Sequence, residues 1–594
     1  MIIIFGGTTE GRIAAKVLDE AGSPYYYSTR GNAQQIECKH GTRITGGLDS
    51  NAMLEFCMTH DIRLIIDAAH PFASLLHSTV GSVSEQLDIP VIRLERRYPP
   101  RDESLVWCDS FDDAIDYLES REINHLLALS GVQTIGKLRR YWEKHACHFR
   151  VLDREDSRTL AKQAGFPEKN LLFWHEGQDE LALFRQLHPG AILTKESGES
   201  GYYEEKISAA RQLGIPVIVI RRPPLPDSFY TVNGEHGLRY RVERLLPGFY
   251  PLRSGFTTGS CATAASRAAL LGLLTRETQH SATITLPDGE TVTLPVSSCV
   301  FTDSDCTCGV TKDAGDDPDV TNGHTILSTV SLTAQPGIQF LPGEGVGTIT
   351  FPGIGIPVGE PAINQTPRRM ITNEIEQLLH SHGLHSGVSV RISVPGGSEL
   401  AQKTFNPRLG IIGGISIIGT SGIVRPFSSE AFVNSIRKEI QVARALGCTG
   451  IVINSGAKSE NYLRSRFPDL PAQAFIHYGN YIGDTLRLAD EEGITHITMG
   501  IMIGKAVKLA EGHLDTHSRN VVMNRDFIIA LANESHCSPT NIARVPEITL
   551  ARELWELFAD TPAFFTLLVD RCMAFCRPLL PHATLDIILV PEQA

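Results

Sequence analysis

An α/β fold is what this sequence predicts, on three observations. Short apolar runs of the Ile2-Ile3-Ile4-Phe5 kind, each closed by a turn, alternate with helical patterns through about the first 250 residues. A hydroxyl- and glycine-rich stretch from Leu252 to Ser266 then opens an alanine-rich helix and starts a second unit. Beyond Ser429 the alternation resumes. Together these give an N-terminal pair of Rossmann-like parallel-sheet lobes (about 1–100 and 101–250), a C-terminal α+β unit (about 251–425) and a following Rossmann-like subdomain (426–594).

The 594 residues suggest about four packed units. Their composition, 42% hydrophobic and 20% charged, is that of a globular chain with a sizeable core. A formal net charge of -13 argues against nonspecific nucleic-acid binding, which needs a basic face. No apolar run approaches the ~20 residues of a membrane span, and Met1 leads directly into a strand, so a cytoplasmic location is expected. The 12 cysteines include no Cys-x-x-Cys pair and read as reduced core thiols. Cys299, Cys306 and Cys308 come nearest to a cluster, but their spacing fits no common zinc pattern, so no metal is expected.

In the first half, the strand Ile2 to Phe5 runs into Gly6-Gly7-Thr8-Thr9-Glu10-Gly11 and a helix. Glycines let a backbone approach a pyrophosphate, and the helix offers its first N–H groups. A tight turn without ligand explains the same pattern. The next strand ends in Ser28-Thr29-Arg30, where hydroxyls and an arginine favour a 2′-phosphate, hence NADPH over NADH. The run Leu64-Ile65-Ile66 delivers Asp67 and His70 at a carboxyl strand end, where open parallel sheets place ligands. Strands at Leu126 to Leu129 and Ala191 to Leu193 build the second lobe.

The set Gly6 to Gly11, Asp67-Ala-Ala-His-Pro-Phe-Ala73, Arg93-Leu-Glu-Arg96, Thr194-Lys-Glu-Ser-Gly198 and Ile220-Arg-Arg-Pro223 resembles the precorrin-6A reductase family over nearly the whole first half. The resemblance implies NAD(P)H-dependent reduction of a corrinoid precursor held between the two lobes. His70, or a water held by Asp67, is then the expected proton source, since imidazole titrates near neutrality. Arg93, Arg96 and Lys195 are expected on the carboxylates of the macrocycle, with Ser197 and Gly198 beside them.

In the second half, Ser254 to Ser260 precede the alanine-rich helix, so Thr257 and Thr258 read either as plain helix caps or as part of an anion site. The run Asp313-Ala-Gly-Asp-Asp-Pro-Asp319 lacks the glycine and glutamate of a calcium loop. Its carboxylates read as caps of backbone N–H groups, or one of them, Asp316 or Asp317, faces a cationic ligand. Later strand ends at Asn454 and at Gly479-Asn480 suit a nucleoside. Gly500 to Lys505 is one residue short of a triphosphate loop and lacks its Ser/Thr.

The motifs Leu252 to Ala262, Asp313 to Gly323, Gly359-Glu-Pro-Ala-Ile-Asn364, Lys403-Thr-Phe-Asn-Pro-Arg-Leu-Gly410 and Gly504-Lys-Ala-Val-Lys-Leu-Ala510 resemble the cobalt-precorrin-5B C1-methyltransferase family. That implies methyl transfer from S-adenosyl-L-methionine to carbon 1 of the macrocycle. Under it, Asp316 or Asp317 offsets the sulfonium charge, Asn454, Gly479 and Asn480 hold the nucleoside, and Arg368, Asn406, Arg408 and Lys505 meet the substrate.

The two resemblances describe consecutive steps, making cobalt-precorrin-6A and reducing it to cobalt-precorrin-6B. The alternative is a nucleotide-binding scaffold that has lost its chemistry. Expected partners are cobalt-precorrin tetrapyrroles, with neither nucleic acid nor membrane, and with a homo-oligomer left open.

Overall fold

The computed structural model describes residues 1–31, 36–175, 177–198, 202–517 and 521–591. The backbone separates into two compact units, Met1–Arg253 with Glu290–Val292, and Ser254–Gly289 with Thr293–Ala594.

In the first unit, all four residues of the strand Ile2–Phe5 are buried, which is why the run is continuously apolar rather than alternating. It pairs in parallel with Tyr25–Thr29 on one side and Leu64–Asp67 on the other. Gly41–Thr45 extends the sheet beyond the first neighbour, and Val91–Glu95 then Tyr230–Asn233 extend it beyond the second, all parallel. Taken across the sheet, the chain order is third, second, first, fourth, fifth, sixth. The winding therefore reverses between Ile2–Phe5 and Leu64–Asp67, and their carboxyl ends open a crevice.

A second parallel sheet runs in the order Val106–Cys108, Val217–Ile220, Ala191–Lys195, His125–Ala128, Ala146–Leu152, Leu171–Trp174. Its winding reverses between His125–Ala128 and Ala191–Lys195. The expected lobe limits need one change. The strand Tyr230–Asn233 returns to the first sheet, and Leu238, Val242, Phe249 and Tyr250 pack in the same apolar cluster as Ile2, Ile4 and Leu18. Local alternation marks a strand but does not say which sheet it joins.

The second unit begins with the helix Thr258–Thr275, whose small residues are buried on nearly every side. It lies close over a five-stranded mixed sheet, ordered Ser298–Phe301, Asp305–Thr311, Thr325–Thr333, Gly387–Ser393, Ile338–Leu341. A Cβ added to Gly272 would come 3.2 Å from Phe301 and 3.3 Å from Cys306 Sγ, so glycine sets how near the helix approaches. Farther along, four parallel strands are ordered Phe475–His477, Gly450–Asn454, His496–Met502, Thr584–Val590. The last of these is absent from the sequence reading. Among the described residues, no helix is long and apolar enough to cross a membrane.

Candidate active sites

The glycine turn of the first sheet is built largely around one tyrosine. Gly6 N donates to Ser28 O at 2.9 Å, and a Cβ on Gly6 would lie 2.2 Å from Tyr27 Oη. A Cβ on Gly11 would lie 2.6 Å from the same oxygen and 2.9 Å from Gly6 Cα. These two glycines are therefore required by packing within the protein. Gly7 differs: its φ of +98° demands glycine, and a Cβ there would meet nothing within 4 Å. Thr8 caps the helix Thr9–Asp19, its hydroxyl accepting from Gly11 N at 3.1 Å and donating to Ala68 O at 2.7 Å. Ser28 and Thr29 are buried, and Thr29 Oγ1 donates to Gly31 O. Of the residues expected around a nucleotide, Gly7, Thr9 and Arg30 face outward, and Gly6, Thr8, Ser28 and Thr29 shape the turn beneath them.

Asp67 is corrected from its expected role of holding a water as proton source. It is 0% exposed and closed in by His77 Nδ1 at 2.6 Å, Arg93 Nη1 at 2.9 Å and the Ala69 N–H at 3.1 Å. Burial pushes its carboxyl up, but His77 and Arg93 more than reverse this, leaving it below its ordinary range. Arg93 is corrected likewise: at 1% exposure it holds Asp67, Glu95 and the Ala69 carbonyl rather than a substrate. His77 and Glu95, which complete this network, were not picked out from the sequence. His77 sits ten residues beyond Asp67, and no local spacing announces the pair.

Above this buried network the two winding reversals meet. Arg96 pairs with Glu10 at 3.1 Å and donates to Ser197 O at 3.0 Å, tying the glycine turn of one sheet to the crevice loop of the other. Glu10, expected on a cofactor, is thus engaged by Arg96 and buried. Gly198 packs so tightly that a Cβ would lie 2.6 Å from Arg97 O. Lys195 Nζ stands 5.0 Å from the Phe72 ring, and burial with the neighbouring Lys137 brings its ammonium down to about 8. His70 accepts from Phe72 N at its Nδ1, leaving Nε2 to carry the proton of the neutral ring. Protein crowding, then Arg96 and Lys195, lower its pKa to about 4. The expectation that His70 titrates near neutrality is therefore corrected: its ring is neutral there, because desolvation by the surrounding protein and then two nearby cations disfavour its charged form.

In the second unit, Thr257 caps the helix Thr258–Thr275 by accepting from Ser260 N at 3.1 Å. Gly259 N already donates to Ile418 O, and the Thr258 hydroxyl lies against the Ser416 and Ile418 carbonyls. The capping reading is what the geometry supports. The aspartate loop is held by protein partners: Asp319 takes the buried Lys312 at 2.7 Å, Asp313 accepts Gly315 N, and Asp317 accepts the distant Phe427 N at 3.1 Å. Asp316 is exposed. Asn406 bonds Gly414 O and Ser416 Oγ, while Arg368 holds Ile363 O, Pro361 O and Glu360. Both are occupied in shaping their own loops.

The carboxyl ends of the four-stranded sheet gather the remaining candidates. Asn454 is 0% exposed and bridges Ile476 O and Gly456 N, so it joins strand ends instead of facing a nucleoside. Lys505 Nζ donates to Gly479 O, and burial holds its ammonium at about 8. Asn480 accepts Thr516 N through its carbonyl. Arg408 pairs with Glu460 and lies 3.6 Å from Glu439. Glu439 Oε2 also accepts His477 N at 3.4 Å, yet burial still pushes its carboxyl up to about 7. Phe432 stands beside His477 and Tyr481, with ring centroids 5.9 and 5.4 Å away. Glu439 and Phe432, seven residues apart on the helix Ser429–Ala445, and His477, ending the strand Phe475–His477, were missed in the sequence because nothing local shows that this helix packs against that strand end. A hollow of about 560 Å³ lined by Gly450, His496 and Phe467 opens at the opposite, amino ends of these strands, away from this chemistry.

Residues 248–426 match the family described as CbiD and residues 515–593 its C-terminal domain, while residues 1–237 match precorrin-6x reductase CbiJ/CobK. The cobalt-precorrin-5B C(1)-methyltransferase of Geobacillus kaustophilus is 46% identical over 331 residues, 55% of this chain and 88% of that protein. The chain belongs to the cobalt-precorrin-5B C(1)-methyltransferase family. Its first 237 residues form a precorrin-6x reductase domain, so a methyltransferase and an oxidoreductase are joined in one cobalamin-biosynthesis protein. The corresponding methyltransferase of Prosthecochloris aestuarii is 45% identical over 348 residues, 58% of this chain and 94% of that protein. Among solved structures, CobK precorrin-6A reductase aligns with 42% of this chain and 98% of its own at 21% identity, with a TM-score of 0.35.

Proposed function

We propose that the second unit methylates carbon 1 of cobalt-precorrin-5B with S-adenosyl-L-methionine, and that the first unit reduces the resulting cobalt-precorrin-6A to cobalt-precorrin-6B with NADPH or NADH. The observation that carries this reading is the union of the two families on one chain, the product of one named activity being the substrate class of the other. Fusion raises the local concentration of the intermediate beside its next enzyme.

In the first unit the open face of Gly7, with Thr9 and the exposed Arg30, fits a dinucleotide lying across the sheet's crevice, Arg30 favouring a 2′-phosphate. The nicotinamide supplies hydride when bound. Lys195, charged below about pH 8, is the proton source and a carboxylate contact. His70 donates a hydrogen bond from Nε2 as a neutral ring. Arg96 positions the two loops through Glu10 and Ser197.

In the second unit, Glu439 and the rings of Phe432 and Tyr481 fit a sulfonium better than the aspartate loop does, because that carboxyl is half-ionised near neutrality and a cation beside it favours the charged form. Gly479 and Asn480 flank the adenosine, and Lys505 and Arg408 meet substrate carboxylates. Alignment of donor and acceptor carbon is the main requirement of an in-line methyl transfer.

The test is anaerobic incubation of the purified chain with cobalt-precorrin-5B and S-adenosyl-L-methionine, with and without NADPH, read by mass and absorbance. Gain of one methyl without NADPH and of two further hydrogens with it is the expected result. No methyl gain from authentic substrate refutes the assignment of the second unit, and a methylated product that neither NADPH nor NADH reduces refutes that of the first.

A further inference from the structure

We propose that Cys299, Cys306 and Cys308 form a three-thiolate site for a thiophilic divalent d10 cation, of which zinc is the ordinary example. The spacing along the chain conceals it. Cys306 and Cys308 are two apart on the strand Asp305–Thr311 and so share one face of the sheet. Cys299, on the antiparallel neighbour Ser298–Phe301, lies directly opposite Cys308. Zinc-ribbon and finger patterns are recognised by ligand pairs at C-x2–4-C and H-x3–5-H spacing, which a trio taken from two facing strands does not show.

The sulfurs are already at ligand distances. Cys299 Sγ is 3.8 Å from Cys306 Sγ, and Cys306 Sγ is 3.9 Å from Cys308 Sγ, with all three within 4.8 Å of one another. Zinc–sulfur bonds of about 2.3 Å in tetrahedral geometry set the sulfurs about 3.8 Å apart. Among the described residues no other group of three His, Cys, Asp or Glu side chains converges in this way.

Access and charge also fit. Ser298–Phe301 is the edge strand of its sheet, and Cys299 is partly exposed while Cys306 and Cys308 are 0% exposed. A cation therefore enters past Cys299. Three thiolates carry three negative charges. A divalent cation leaves one, a monovalent cation two, and a half-buried position favours the smaller residue of charge. On binding, three S–H bonds break heterolytically, three protons pass to solvent and three metal–sulfur bonds form. No electron is exchanged, and no proposed step of methyl transfer calls on these thiols.

The test titrates the reduced full-length chain with Cd²⁺ against a competing chelator, reading cadmium–thiolate ultraviolet absorption and the ¹¹³Cd chemical shift. One cadmium per chain in a three-sulfur environment, displaced by Zn²⁺, is expected. Cys299→Ser, on the exposed edge, leaves the circular dichroism unchanged and weakens binding about a hundredfold. Cys308→Ser, on the paired inner strand, acts in the same direction. Absence of thiolate absorption in the unsubstituted chain overturns the proposal, as does absorption that survives at full strength in Cys299→Ser.

Discussion

Arg96 reaches from the first sheet to the second: one guanidinium nitrogen holds Glu10 at 3.1 Å and another holds the Ser197 carbonyl at 3.0 Å. The contact fixes the glycine turn and the Lys195 loop as two walls of one crevice. Arg96→Met removes a charged hydrogen bond of about 1.5–3 kcal/mol and leaves Glu10 without its arginine. The expected outcome is a raised KM for the reductase step with methyl transfer unchanged, and steady-state kinetics of each half-reaction checks it. Arg96→Lys restores the charge but not both contacts, and recovers only part of the loss.

Asp67→Asn is expected to destabilise the first unit by about 3–5 kcal/mol, because it leaves the buried Arg93 and His77 without their common anion. Asp67 has a folded pKa below its unfolded value. Its contribution is therefore complete above the unfolded carboxyl range near pH 4 and is lost as pH falls through the lower folded value. Calorimetric melting of the chain and of the variant between pH 7 and acid follows both effects. Equal pH dependence in the two proteins would contradict the assignment.

Lys195 titrates at about 8 and is cationic below that pH. The reductase step should fall as pH rises through about 8, and Lys195→Met should abolish that limb together with most of the rate. His70, at about 4, stays neutral across the same range. Its ring-proton chemical shift should therefore be flat from neutral pH down to mild acid, and His70→Gln should not move the pH profile.

Glu439 is ionised above about 7. Affinity for S-adenosyl-L-methionine should accordingly strengthen as pH rises through neutrality, and Glu439→Gln should remove the pH dependence and weaken binding about tenfold, the size of one ion-to-cation contact of about 1.4 kcal/mol. Isothermal titration at several pH values reads both. If Asp316→Asn rather than Glu439→Gln removes the dependence, the sulfonium lies at the aspartate loop.

Gly6→Ala and Gly7→Ala separate packing from backbone strain. The first drives a methyl into Tyr27, 2.2 Å from its oxygen, while the second has open space but a positive φ. Strain of about 1–3 kcal/mol is expected at Gly7, and a larger loss at Gly6, in thermal melts of the first unit.

The sequence by itself determined the strands that are buried on both faces, since Ile2 to Phe5 or Leu126 to Ala128 can satisfy their apolar runs only inside a parallel sheet. It also offered the helix cap at Thr257 as one of two readings, because capping is a contact between residues three apart, while the cap at Thr8 was hidden in a turn read for a nucleotide. Families became legible where motifs are contiguous. Only the tertiary structure decided that Tyr230–Asn233 rejoins the first sheet, that Arg93 closes on Asp67 instead of a substrate, that Glu439 and Phe432 both meet His477, and that three cysteines converge. Each of these joins residues distant in the chain or facing across paired strands. Surroundings then set the chemistry: desolvation, with Arg96 and Lys195 behind it, lowers His70, and desolvation raises Glu439. A one-dimensional pattern specifies periodicity and neighbours within a turn, whereas the electrostatic environment of a side chain depends on what the whole fold brings beside it.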